Sequence, residues 1–82
     1  MNANLNEQTI KNRIRELYES NPHIHISISM RRPRIELSNV EAVIKGVYSH
    51  LFSIEVRDKG YPQTYNVQYT EILINRVEIA EL

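Results

Sequence analysis

The chain has 82 residues with ten basic and ten acidic side chains and no cysteine. That length makes a single domain over residues 1–82 with a thin core, and the missing cysteines exclude a disulfide-stapled scaffold and a thiolate metal site. A net charge of zero argues against a strongly basic, non-specific nucleic-acid binder. No apolar run exceeds three residues, as at Ile72-Leu73-Ile74, far short of the roughly 20 a membrane helix needs. Met1 to Asn12 carries no apolar stretch of the kind a signal peptide requires. A reducing, cytoplasmic compartment without membrane contact is the expectation.

The first predicted element is a helix over about 6–20. Ile10, Ile14, Leu17 and Tyr18 fall on one face at helical period. Asn6 is placed to cap the first turn, and Leu5 with Ile10 to form a hydrophobic staple. Asn21 and Pro22 end the helix, Asn21 by a left-handed backbone and Pro22 by refusing to continue. A helix this short with one apolar stripe needs something to lie on.

A strand region over 23–80 supplies it. His23 to Met30 alternates strictly, with Ile24, Ile26, Ile28 and Met30 on one face and histidines and serines on the other. Arg31-Arg32-Pro33-Arg34 interrupts the pattern as a turn or edge. Ile35 to Val47 reads as a second strand whose apolar parity slips by one between Leu37 and Val40. That slip predicts a bulge or bend at Ser38-Asn39.

Tyr48-Ser49-His50 leads to a third strand with Phe52, Ile54 and Val56 inward. Asp58-Lys59-Gly60 signals a tight hairpin, with Gly60 at positive φ. A fourth strand, Gln63 to Tyr69, places Tyr65, Val67 and Tyr69 on one face. Thr70 to Leu73 suits one helical turn, and Arg76 to Ala80 forms a last strand with Val77 and Ile79 inward. The fold class expected from this order is mainly β: a small SH3-like or Sm-like five-stranded antiparallel barrel preceded by one N-terminal α-helix.

Chemistry-bearing residues are few. Arg31, Arg32 and Arg34 form the one basic cluster, and guanidinium forks on a hairpin tip suit phosphate or an acidic protein surface. The alternative is a solvated turn that protects the strand edges. Tyr65 and Tyr69 would stack on bases if exposed, whereas a chain with one Phe and no Trp also needs such rings in its core. His23 and His25 share a strand face but are too few to hold a metal, unless His50 lies nearby. Glu36, Glu41, Glu55, Glu71 and Glu78 are scattered singly. No nucleophile motif or phosphate loop is present, so neither an enzyme nor a cofactor is expected. Residues 1–34 hold six basic and three acidic groups and residues 35–82 four and seven, a dipolar arrangement that suits self-association, with a homodimer as the assembly, or an anionic partner.

The segments Val43-Ile44, Tyr48 to Ile54, Tyr65 to Leu73 and Val77-Glu78-Ile79 resemble those of the Veg family of Gram-positive bacteria. The N-terminal helix and the basic turn at Arg31 to Arg34 have counterparts there as well. The likeness covers most of the chain from about Thr9 onward. The basic turn departs from the family's glycine-rich form, and Ser49 stands where the family has proline, as in a divergent member or paralogue. The resemblance implies a non-enzymatic cytosolic protein that stimulates biofilm formation by relieving repression of matrix genes through a transcriptional regulator. The rival reading is an Sm-like or OB-like barrel that binds single-stranded RNA or DNA through the Arg31–Arg34 turn.

Overall fold

A computed structural model describes residues 6–32, 34–57 and 60–82. Helix α1 (Glu7–Ser20) is followed by β1 (His23–Arg31), β2 (Arg34–Val47), β3 (Leu51–Val56), β4 (Gln63–Gln68), a short helix α2 (Tyr69–Leu73) and β5 (Val77–Ile79). None of the described helices is long and apolar enough to cross a membrane.

Helix α1 begins where its cap dictates. Asn6 is extended, and its side-chain oxygen accepts the Thr9 N–H at 2.9 Å, which satisfies one of the orphan donors of the first turn. The expected staple partner, Leu5, lies outside the described residues. At the other end the left-handed stop expected at Asn21 is not formed. Asn21 is extended at φ −157°, because the residue before a proline is pushed away from helical geometry. Its N–H still closes the last turn onto the Leu17 carbonyl at 2.8 Å. The helix buries Ile10 and Ile14 fully. Tyr18 sits at the rim, its hydroxyl donating to the Lys45 carbonyl at 3.4 Å.

The five strands form one antiparallel sheet in the order β4-β3-β2-β1-β5. In β1, Ile24, Ile26 and Ile28 are buried while His23 and His25 face solvent, as alternation requires. The β1–β2 register shifts between Ile26, opposite Val40, and Ile28, opposite Leu37. The inserted residue lies at Ser38-Asn39, where the parity slip is read. Asn39 takes φ +53°, and its N–H donates to Ser27 Oγ at 2.9 Å. A second irregularity, between Ile44 and Gly46 opposite β3, bends β2 again near its end.

Phe52, Ile54 and Val56 of β3 and Val67 of β4 complete the sheet's inner face. Gly60 adopts φ +84° before β4; Asp58 and Lys59 of that hairpin lie outside the described residues. Helix α2 then carries the chain across to β5, which pairs with β1 through Ile26–Ile79 and Ile28–Val77. Asn75 at φ +64° makes the turn between them.

The sheet does not close into a barrel. β4 and β5 remain at opposite ends of the strand order, with no ladder between them among the described residues. The reason is local: β4 passes directly into α2 at Tyr69, and β5 is only three residues long. Helix α1 contributes Ile10 and Ile14, and α2 contributes Tyr69 and Ile72, to one continuous apolar core.

Tyr69 anchors that core. Its ring stacks on Phe52 with centroids 5.7 Å apart, and its hydroxyl donates to the Tyr48 carbonyl at 2.6 Å. Tyr69→Phe should cost about 1–2 kcal/mol by orphaning that carbonyl. Phe52→Ala should cost about 3–5 kcal/mol by opening a cavity beneath it. Urea denaturation followed by circular dichroism measures both.

Candidate functional site

The arginine cluster sits at the tip of the β1–β2 hairpin. β1 ends at Arg31 and β2 begins at Arg34, and the two residues face each other directly across the ladder. Like charges opposite one another on paired strands are unfavourable. Arg32 lies in the connection between them; Pro33 lies outside the described residues. Arg31, Arg32 and Arg34 are all exposed. Arg34 reaches Glu36 at 3.4 Å with both side chains largely in solvent, a contact of little energetic weight. Neither Arg31 nor Arg32 has a carboxylate within ion-pair distance among the described residues.

The fold adds two residues that the sequence keeps far away. β5 delivers Arg76 to the end of β1, where its carbonyl accepts the Ser29 N–H at 2.8 Å. Arg76 lies 3.9 Å from Glu71 of α2. Arg31, Arg32, Ser29, Met30, Glu71 and Arg76 line one hollow of about 350 Å³. The buried Glu71 Oε1 accepts no hydrogen bond among the described residues. The tip thus gathers four guanidinium groups against two carboxylates, Glu36 and Glu71. Such a surface can grip carboxylates or phosphates through bidentate hydrogen bonds.

The two tyrosines expected as contact residues do not join it. Tyr69 is fully buried, which corrects the expectation of a partner contact there: its ring fills the space between α2 and β3. Tyr65 is half-buried, packs against the core, and donates its hydroxyl to Gln63 Oε1 at 2.7 Å. The inner face of β4 is therefore core rather than a platform for stacked bases.

The histidines are also separated. His25 Nδ1 lies 2.8 Å from Glu81 Oε2, its Nε2 is 4.0 Å from Glu41, and its backbone N–H donates to Glu81 Oε1 at 2.9 Å. His50 instead bonds Glu7 at the start of α1 at 3.3 Å. Among the described residues no three potential ligands are grouped to hold a metal ion. The remaining glutamates stay dispersed, with Glu55 bonded to Arg57 at 3.2 Å on β3. A concavity of about 570 Å³ runs along β5 with His25, Arg13 and Glu78 over Ile10 and Val77. It contains no nucleophile and base in hydrogen-bond contact.

The His25–Glu81 pair ties the C-terminal residues to β1 and carries a pH signature. The hydrogen bond to Glu81 is the main cause that raises the His25 pKa above its ordinary 6.5, partial desolvation opposing it and the charges of Glu81 and Glu41 adding to it. Desolvation pushes Glu81 upward, but bonds from the His25 ring and N–H outweigh it and hold Glu81 below its ordinary 4.5. The histidine's contribution is complete below pH 6.5 and lost as pH rises through its raised value; the glutamate's is complete above pH 4.5 and lost as pH falls through its lowered value. The stability gap between the native chain and Glu81→Gln should therefore be widest between those two pH values and shrink on either side. Denaturation midpoints measured at a series of pH values check this, and the His25 proton resonances should titrate nearer 6.5 in the variant.

Comparison with models of protein families, with curated proteins and with solved structures returns no match.

Proposed function

We propose that this chain is a non-enzymatic, cytoplasmic regulatory module of the Veg type, which seats its arginine hairpin on the acidic surface of a protein partner. The observation that carries this reading is the direct opposition of Arg31 and Arg34. An arrangement that disfavours the hairpin in isolation is relieved when a negatively charged surface covers it. The partner class follows from the resemblance in Tyr48 to Ile54 and Tyr65 to Leu73: a transcriptional regulator whose repression of matrix genes is relieved on binding. The strand order, with a helical turn before the last strand, supports placing the chain among small SH3-like and Sm-like folds.

A protein partner is favoured over single-stranded nucleic acid for two reasons. Of the two tyrosines read as base-stacking contacts, Tyr69 is buried and Tyr65 half-buried, and the exposed Tyr48 and Tyr61 do not line the arginine hollow. The chain's net charge is zero, so long-range attraction to a polyanion is weak.

Arg31→Ala, Arg32→Ala and Arg34→Ala combined should reduce binding to the regulator recovered with the native chain by at least about tenfold, with an unchanged circular dichroism spectrum. Isothermal titration against that regulator measures it, and a deletion strain should show lowered matrix-gene expression. Undiminished binding by the triple variant would refute the hairpin as the contact. Tight binding of single-stranded RNA or DNA with a steep salt dependence would move the function to the nucleic-acid class.

A further inference from the structure

The two ends of the sheet are protected very differently. β5 is three residues long with Glu78 at its centre, and Arg76 and Glu81 lie close on either side. Shortness and charge are the usual guards of a strand edge. β4 spans six residues, Gln-Thr-Tyr-Asn-Val-Gln, without a charge or a proline.

The direction of its backbone groups follows from the ladder. The Tyr69 N–H donates to the His50 carbonyl at 3.3 Å, and these two residues continue the register in which Leu51 faces Gln68 and Phe52 faces Val67. Bonded and non-bonded pairs alternate in an antiparallel ladder. Gln63, Tyr65 and Val67 therefore direct their N–H and C=O groups to β3. Thr64 and Asn66 direct theirs out of the edge, as does the N–H of Gln68, and no turn or loop backbone group among the described residues bonds to them. The Gln68 carbonyl, at the N-cap of α2, takes the first bond of that helix.

We propose that a second copy of this chain covers this edge, β4 pairing with β4 antiparallel about a two-fold axis at Asn66. With Asn66 opposite Asn66 of the second copy, Thr64 faces the second copy's Gln68 and the reverse. Asn66 then bonds in both directions and each Gln68 N–H donates to the second copy's Thr64 carbonyl, giving roughly four inter-strand hydrogen bonds. Sliding the pair two residues one way opposes Gln68 to Pro62, which has no N–H to give. Sliding it the other way opposes Thr64 to Thr70, which belongs to α2.

The side chains agree with the same register. On the core face Tyr65 lies against the second copy's Val67, an aromatic and β-branched pair that favours sheets. On the outer face the pairs are Asn with Asn and Thr with Gln, so no like charges meet. Tyr61, 55% exposed, comes to the start of the second copy's α2. An interface of this kind is isologous and closes at two copies. It is independent of the arginine hairpin.

The full chain tests this directly. Because it has no cysteine, Asn66→Cys introduces a single thiol on the axis, where paired-strand spacing permits a disulfide. The native chain should sediment as a dimer, and the oxidised cysteine variant should run as a covalent dimer. Ser20→Cys, on α1, should stay unlinked. Asn66→Lys places two ammonium groups face to face and should sediment as a monomer with an unchanged circular dichroism spectrum. Sedimentation of the native chain as a monomer up to about 1 mM would overturn the proposal. A dimer that persists in Asn66→Lys and leaves Asn66→Cys unlinked would overturn it as well.

Discussion

The side-chain parity of β2 is the constraint on which the rest of the structure depends. Successive residues of a strand point to opposite faces, so an uninterrupted strand of fourteen residues from Arg34 to Val47 could not keep both Leu37 and Ala42 on the core side. Asn39 resolves the conflict by taking one extra residue into a left-handed conformation, +53° in φ, which asparagine tolerates better than most side chains. Its N–H is not stranded, because Ser27 across the ladder accepts it. With the slip in place, Ile26 and Ile28 of β1 and both halves of β2 address one interior.

Much of this is visible in the order of residues, because alternation is a local property. The period of Ile24, Ile26 and Ile28 fixes β1, the change from odd to even apolar positions locates the Ser38-Asn39 bulge, and Gly60 marks its turn. Asn6 caps α1 for equally local reasons. The second irregularity near Gly46 had a signal as well, since a lone glycine inside a strand often marks a bulge and the apolar parity changes again from Ile44 to Val47, which packs against the core opposite Phe52.

What could not be read depends on contacts between distant segments. Tyr65, Val67 and Tyr69 share a spacing, yet Tyr69 leaves the strand for α2 and its ring goes into the core, because packing on Phe52 and a bond to the Tyr48 carbonyl outweigh the strand period. Barrel closure failed for the same reason: the chain enters α2 before β4 can extend towards β5. In the candidate site, the three hairpin arginines fall within four successive residues and are easily noticed. Arg76 and Glu71 reach them only through the pairing of β5 with β1, and no spacing in the sequence announces it. The bond between His25 and Glu81, 56 positions apart, is hidden in the same way.

The hairpin and the bulge therefore belong to one account: the slip at Asn39 sets the register that places Arg31 opposite Arg34. Nuclear magnetic resonance of the full chain tests this most directly through cross-strand Hα contacts in β1 and β2. The account requires Ile26 to contact Val40 and Ile28 to contact Leu37, with a coupling constant at Asn39 that reports positive φ. A continuous register, in which Ile26 still faces Val40 but Ile28 faces Ser38, would contradict it.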